Sequence, residues 1–164
     1  MADLSLDRIY SVSFVDVDGN TFATNDGHVT TVVLTRGSDI DRARVVGDRI
    51  PDYCLGNPNY RMITVVSFEK KHSRPVRAIF RALVRCRLDT EAQRLQQRYD
   101  QLKIARNARL DVYAVADFDG NVAAQLDSSK GDAGFHVFVF GRNGALLKKW
   151  DDVPSADELA GALK

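Results

Sequence analysis

Cysteine is scarce in this chain, and its scarcity excludes several kinds of protein at once. Only Cys54 and Cys86 occur among the 164 residues, and their spacing is not one that binds zinc. A disulfide-stapled secreted domain needs more cysteines, so we expect a reducing, cytoplasmic setting. The three histidines, His28, His72 and His136, are isolated from one another in the sequence. The sequence therefore predicts neither a metal centre nor a bound cofactor.

Long apolar runs and a large net charge are also missing. No stretch of about 18 apolar residues is present, and the opening MADLSLDRIYS lacks the basic and apolar regions of a signal peptide. We therefore expect no membrane association. The net charge is +1, so the overall charge predicts no class of partner. The length predicts one domain over residues 1–164.

Runs of β-branched and aromatic residues between turn residues predict the strands. Asp18-Gly19-Asn20 divides an apolar-rich segment and predicts a hairpin within residues 10–25. Short buried strands are predicted at residues 28–35, 61–68 and 111–116. Arg142-Asn143-Gly144 predicts a closing hairpin between HVFVFG, residues 136–141, and ALLKKW, residues 145–150.

Capping residues and helical spacing predict the first and last core helices. Ser38 or Asp39 can cap a helix whose apolar residues recur at helical spacing, namely Ile40, Ala43, Val46 and Ile50. Ser155 and Glu158 have the spacing of a capping box and predict a short terminal helix.

A helical and basic segment is predicted between the core strands, over residues 74–109. Its first helix, residues 75–87, opens at Pro75 and has a predicted buried face of Val76, Ile79, Phe80, Leu83 and Val84. The opposite face of that helix carries Arg77, Arg81 and Arg85. Thr90 and Gln93 form a second capping-box pair and predict a separate helix that ends near residue 107.

The order of these elements is hairpin, strand, helix, strand, two helices, strand, hairpin and helix. Strand–helix–strand units imply parallel strands covered by helices, and the closing hairpin adds antiparallel strands. The predicted fold class is therefore α/β, with a central mixed sheet flanked by helices on both faces and an N-terminal β-hairpin.

Three stretches resemble the peroxiredoxin and thiol-disulfide oxidoreductase branch of the thioredoxin-like superfamily. FVDVDGNTFATNDGHVTTVVLT resembles the opening hairpin and first core strand of that branch. VYAVADFDGNVAAQLD resembles its third strand and following turn, and FHVFVFGRNGALLKKWDDVPSADELAGAL its last hairpin and helix. The resemblance implies a thioredoxin-like fold over nearly the whole chain. It also implies that the first two core helices pack on opposite faces of the sheet.

Both halves of that family's redox site are absent. The cysteine pair would lie between Arg36 and Val46, where no cysteine occurs, and the cis-proline would lie within residues 132–135, where no proline occurs. The resemblance therefore implies a redox-inactive member of the superfamily. Its vestigial cleft, which in the family grips extended peptides, would comprise Arg36, Gly37, Ser38, Asp39, Gly134, Phe135 and His136.

The two cysteines are weak candidates for a catalytic nucleophile. Cys54 follows the first core helix, where the helix dipole disfavours a thiolate, while Cys86 stands beside Arg85 and Arg87, which favour one. The expected placement of their helices on opposite faces argues against a disulfide between them.

The basic segment is the strongest compositional signal in the chain. Residues 70–109 carry twelve Lys and Arg against three Asp and Glu, a net charge of +9, while the remainder carries −8. Such a face can bind nucleic acid, dock an acidic protein, or join the acidic surface of a second copy in a homo-oligomer. The candidate partner-binding residues are Arg74, Arg77, Arg81 and Arg85.

The sequence thus leads to one functional hypothesis and two alternatives. The first is a redox-inactive thioredoxin-like protein that binds an unknown protein or peptide. One alternative is a single-cysteine thiol redox or peroxide-reactive protein that uses Cys54 or Cys86. The other is binding of an anionic partner such as nucleic acid through the arginine-rich face of residues 70–109.

Overall fold

The computed structural model describes residues 4–68, 70–126 and 134–164. These residues form a two-stranded hairpin, a five-stranded sheet and four α-helices. The strands are β1 (Ser13–Val15), β2 (Thr21–Ala23), β3 (Val29–Arg36), β4 (Tyr60–Ser67), β5 (Tyr113–Asp117), β6 (His136–Phe140) and β7 (Leu146–Trp150). The helices are α1 (Ile40–Asp48), α2 (Arg74–Gln101), α3 (Asn121–Leu126) and α4 (Ala156–Ala162).

The five-stranded sheet has the order β5-β4-β3-β6-β7 and is mixed, as predicted. β3, β4 and β5 are parallel, whereas β6 is antiparallel to both β3 and β7. The β-branched runs that predicted the central strands are buried on both faces, and Val32, Val33 and Leu34 have no exposed surface. The predicted α/β class with an N-terminal hairpin is confirmed.

Helices cover both faces of the sheet, but α1 and α2 share one face, so the expectation that they lie on opposite faces is wrong. The chain moves from β3 to β4 to β5 in one direction across the sheet. Two right-handed crossovers that move in the same direction place both connecting helices on the same side. α4 joins this face through Leu159, which packs with Val33 and Val46. β1 and α3 cover the other face, where Phe14 and Leu126 pack against Val32.

α2 is one continuous helix of 28 residues, so the predicted break before Thr90 is wrong. The Thr90 hydroxyl donates a hydrogen bond to the carbonyl oxygen of Cys86, one turn earlier, and does not cap a helix. No glycine or proline interrupts the chain near this point. The buried residues Leu88, Ala92 and Tyr99 lie along one side of the helix and hold it against the sheet.

The buried face of α2 is rotated relative to the predicted one. Ile79 and Leu83 were expected in the core, but their side chains are 59% and 57% exposed. Phe80 turns towards the sheet and packs near Phe68, 5.2 Å away between ring centres. Phe118 is buried on this side of α2, and Arg77 and Arg81 lie over its ring.

The helix caps were predicted with mixed success. In α4, the Ser155 hydroxyl accepts a hydrogen bond from the Glu158 backbone N–H, and the capping box is complete, as predicted. At α1, neither Ser38 nor Asp39 caps the helix with its side chain. A short 3-10 turn, Gly37–Asp39, precedes α1 in place of a side-chain cap.

The closing hairpin turn requires glycine at position 144. Gly144 has φ of +87°, and a Cβ there would overlap the Tyr10 carbonyl oxygen. We expect Gly144→Ala to lower the free energy of unfolding by about 2 kcal/mol or more, because it adds left-handed strain to a backbone clash. Urea unfolding measures this change.

Gly161→Ala in α4 is the matched control for the Gly144→Ala variant. A Cβ at Gly161 meets no atom within 4 Å, so we expect unchanged or slightly increased stability. An equal loss of stability in the two variants would contradict the importance of the Gly144 turn.

Candidate functional site

The two stretches of the predicted vestigial cleft meet at one edge of the sheet. β3 and β6 pair antiparallel, and Leu34 stands opposite His136 at the last pair of their register. The chain beyond Leu34 therefore runs beside the chain that precedes His136. This arrangement brings Arg36 and the Gly37–Asp39 turn to the same edge as Gly134 and Phe135.

The cleft residues differ in their exposure and in their contacts. Gly37 and Ser38 are exposed, whereas Phe135 is buried in the core with Val33. The guanidinium of Arg42 lies 5.5 Å from the centre of the Phe135 ring and covers it. Nδ1 of His136 lies 2.9 Å from a carboxylate oxygen of Asp151. The exposed part of the cleft is therefore the turn at Gly37 and Ser38.

Cys54 lies beyond the carboxyl end of α1, in a 3-10 turn that spans Asp52–Cys54. Its side chain is buried with Val139 and Leu163. Burial raises the pKa of the Cys54 thiol to about 11, and a hydrogen bond with Tyr53 offsets this only in part. At neutral pH, Cys54 is therefore protonated and shielded from solvent.

Cys86 lies in the middle of α2 on its exposed side, far in sequence from the cleft residues. Its two cationic neighbours are engaged elsewhere. Arg85 donates to the carbonyl oxygen of Val17 at 2.9 Å, and Arg87 pairs with Asp41. Both cysteines are free thiols.

Acidic residues of the same chain pair with most of the basic segment. Among the residues that the structure describes, seven of the twelve basic residues in 70–109 form ion pairs with aspartates: Arg77, Arg85, Arg87, Arg94, Arg98, Arg106 and Arg109. The aspartates lie on the hairpin, on α1 and the turn after it, and around β5. Most of the basic charge that suggested an anionic partner or a second copy is thus paired with acidic residues of the same chain.

The four arginines predicted to bind a partner have different environments. Arg77 pairs with Asp119 at 2.9 Å, and both Arg77 and Arg81 lie over the Phe118 ring. Arg85 holds the loop at Val17. Arg74 is exposed at the start of α2. Three of the four therefore support the packing of α2 and the elements beside it.

A cavity between α1 and α2 was not predicted from the sequence. It has a volume of about 200 Å³ and lies over β4, where Met62 and Thr64 form its floor. Cys54 and Tyr99 also line it. The Tyr99 hydroxyl donates to Asp111 at 2.7 Å and accepts from the Gly56 N–H at 3.1 Å. Burial, together with the contact to Asp111, raises the pKa of Tyr99 far above its usual value.

In the part of the chain that the structure describes, no group of three or more His, Cys, Asp and Glu side chains is arranged to hold a metal ion. Each helix in the same residues is too short or too polar to cross a membrane.

The fold of this chain is similar to that of several known proteins. No family model and no curated protein matches the sequence. Among solved structures, the exposed lipoprotein thioredoxin of Streptococcus pneumoniae aligns with a TM-score of 0.57 at 15% identity, over 94% of this chain and 98% of that one.

Two further solved structures are similar to the chain. A thioredoxin-family thiol:disulfide interchange protein of Chlorobium tepidum has a TM-score of 0.55 at 14% identity, over 99% and 97% of the two chains. A peroxiredoxin-like protein of Aquifex aeolicus has a TM-score of 0.53 at 11% identity, over 99% and 90%. Sequence identities this low show a shared fold and do not show a shared activity. The chain therefore has a thioredoxin-like fold.

Proposed function

We propose that this protein is a thioredoxin-fold binding module that does not catalyse thiol redox chemistry. The observation that carries the proposal is the placement of its cysteines. The amino end of α1, where a thiol would be activated, is preceded by Gly37-Ser38-Asp39. Cys54 lies beyond the other end of that helix, buried and with a raised pKa. A thiol that is neutral and shielded is a poor nucleophile.

The cleft at the edge of the sheet is the proposed binding surface, and an extended polypeptide is the proposed ligand. Gly37 and Ser38 present exposed backbone beside the start of β6. β3 and β6 are each paired on both sides within the sheet, so the proposed contacts are hydrogen bonds between an extended peptide and the exposed turn at Gly37 and Ser38. Such contacts need neither a cysteine nor a proline in the cleft.

The single-cysteine alternative rests on the exposure of Cys86. Against this alternative, Cys86 lies in the middle of α2, where the helix dipole does little to stabilise a thiolate. Its neighbours Arg85 and Arg87 are bound to other groups. The nucleic-acid alternative stays a prediction, with weaker support because most of the basic segment is paired within the chain. Cytoplasmic localisation also stays a prediction, since one structural neighbour is an exposed lipoprotein.

Blocking the cleft tests the proposed surface. We expect Ser38→Trp to weaken binding of a fluorescein-labelled unfolded polypeptide with carboxymethylated cysteines by about tenfold or more, because the indole covers the exposed turn. Fluorescence anisotropy measures the dissociation constants.

Ser13→Trp on β1 is the control for the cleft variant, because Ser13 is also an exposed serine and lies on the separate hairpin. It should bind the labelled polypeptide as the unmodified protein does. Equal binding by all three proteins, or no binding by any, would rule out the cleft as the peptide site.

A further inference from the structure

We infer that the cavity between α1 and α2 is a binding site for a small, neutral, apolar molecule about the size of one or two aromatic rings. The inference does not depend on the cleft, which lies where β3 ends and β6 begins. It depends on the floor, the walls and the rim of the cavity, and on the absence of uncompensated charge there.

The floor of the cavity is incompletely covered sheet. On the opposite face of β4, Ile63 and Val65 have no exposed surface. On the cavity face of the same strand, Met62 and Thr64 remain half-exposed although helices lie on either side. A central strand between two covering helices is normally buried on both faces. Here α1 and α2 stand apart over β4 and leave its middle accessible.

The walls of the cavity are mostly apolar. α1 contributes Ile40 and the small residues Ala43 and Gly47, and α2 contributes Val84, Leu88 and Leu95. A Cβ built on Gly47 would lie 3.8 Å from the sulfur of Met62, so this part of α1 faces the floor. Small residues on α1 and a flexible methionine beneath them leave room for a guest.

Ion pairs with long side chains span the gap between the two helices. Arg44 of α1 pairs with Glu91 of α2 at 2.7 Å, and Arg94 of α2 pairs with Asp48 of α1 at 2.8 Å. Arg87 and Arg98 of α2 form two more bridges, to Asp41 and Asp52. The helices are joined at the rim by arginine side chains and not by interlocking apolar ones.

The charges around the cavity cancel. Four arginines stand against three aspartates and one glutamate in these bridges. Arg98 also donates to the backbone oxygens of Gly47 and Ile50. No buried side-chain nitrogen or oxygen of the described residues lacks a hydrogen-bond partner. A charged ligand would therefore have to break an existing pair, whereas a neutral apolar ligand breaks none.

The size of the cavity limits the ligand. Its volume of about 200 Å³ exceeds the roughly 150 Å³ of an engineered apolar cavity that stays dry and binds benzene. It falls below the roughly 300 Å³ at which pockets for drug-sized ligands begin. One or two fused rings, or a short branched chain, match this space.

The test uses indole as the probe and Met62 as the reporter. The sequence contains two methionines, Met1 and Met62, so protein labelled with ¹³C at the methionine methyl groups has one signal from the cavity floor. We expect the Met62 signal to shift saturably on titration with indole. A Met62 signal that does not move up to the solubility limit of indole would overturn the inference.

A cavity-filling variant gives the second half of the test. Thr64→Ile keeps β-branching but fills part of the cavity, and should raise the dissociation constant of indole about tenfold or more, as expected for loss of contact equal to two buried methylene groups. Thr21→Ile, on an exposed position of β2, should bind indole as the unmodified protein does. Unchanged affinity in a folded Thr64→Ile protein would contradict the site.

A second pair of variants covers the case in which Thr64→Ile does not fold. Gly47→Leu places a side chain against Met62 from the opposite wall, and its control is Gly161→Leu on α4, where a side chain meets open space. We expect weaker indole binding in Gly47→Leu alone. Equal affinity in the two glycine variants would likewise overturn the inference.

Discussion

Replacing Arg61 with methionine is expected to lower the free energy of unfolding by about 3 kcal/mol. Only 5% of the Arg61 side chain is exposed, and its guanidinium joins the start of β4 to the segment after the N-terminal hairpin. Its terminal nitrogens donate to both carboxylate oxygens of Asp26, at 2.8 and 2.7 Å. It also donates to the Ala23 carbonyl oxygen and the Thr30 hydroxyl.

The expected cost for Arg61→Met has two sources. Removing one partner of a buried pair leaves the other partners without their hydrogen bonds, which costs more than the pair contributed. Methionine also gives up the contact of the guanidinium with the Phe22 ring, 4.9 Å away. The figure lies at the lower end of the range for buried pairs because 30% of the Asp26 side chain remains in water.

Arg142→Met is the matched control, because Arg142 is an exposed arginine in the closing turn. We expect it to change stability by no more than about 0.5 kcal/mol. Urea unfolding followed by the fluorescence of Trp150, the one tryptophan of the chain, measures both variants. Equal stabilities of the two methionine variants would contradict the role of Arg61.

The stabilisation by Arg61 should depend on pH. Burial raises the pKa of Asp26, but hydrogen bonds from Arg61, His28 and the Ala23 backbone outweigh burial and hold the pKa below its usual value. A carboxyl group with a lowered folded-state pKa stabilises the protein above its unfolded pKa of about 3.9, and this stabilisation disappears as the pH falls through the folded-state value. The stability difference between the unmodified protein and Arg61→Met should therefore narrow below about pH 4.

Alkylation of Cys54 by iodoacetamide at pH 8 should be about a hundredfold slower in the native protein than in the denatured chain. The pKa of the thiol rises from 9.0 to about 11 on folding, so the reactive thiolate fraction falls by about two powers of ten. Burial of the side chain also limits access of the reagent. Mass spectrometry of peptides after timed quenching gives the rate at each cysteine.

Cys86 provides the internal control for the alkylation experiment. It is exposed on α2, so we expect it to be alkylated in the native protein while Cys54 remains unalkylated. Rates at Cys54 that agree between native and denatured protein would contradict both its burial and its raised pKa.

Local sequence signals predicted the sheet well. The β-branched run at Val29–Arg36 and the glycine-centred turns specify their own structure, because strand burial and positive φ are properties of a few adjacent residues. The Ser155–Glu158 box is equally local. α3 was not predicted from the sequence because it has only six residues. The residue that could have indicated it is Asp117, whose carboxylate accepts hydrogen bonds from the N–H groups of Val122 and Ala123 in this helix.

Features that depend on distant partners were not predictable in the same way. The packing of α2 involves residues far away in the chain, such as Phe118, which lies beneath Arg77 and Arg81 and is separated from Phe80 by 37 intervening residues. The basic segment could be identified from the sequence, but not the pairing of its arginines with Asp41, Asp48 and Asp52. The cavity arises from the distance between two helices, for which the chain carries no local signal.

The absence of a cysteine between Arg36 and Val46 can be read directly from the sequence. The structure adds where the remaining thiols lie, and the raised pKa of Cys54 could not be inferred without its burial. The exposure of Gly37 and Ser38 depends on how their turn packs beside the start of β6, which local propensity does not encode.

The most direct test of the central claim is intact-mass spectrometry after a brief exposure to dilute hydrogen peroxide. The unmodified protein, Cys54→Ser and Cys86→Ser would each be compared with the same chain in denaturant. The proposed function predicts that neither cysteine in the native protein is oxidised faster than in the denatured chain, and that no disulfide forms between them. Rapid oxidation confined to one native cysteine, or loss of two hydrogens as a disulfide forms, would contradict it.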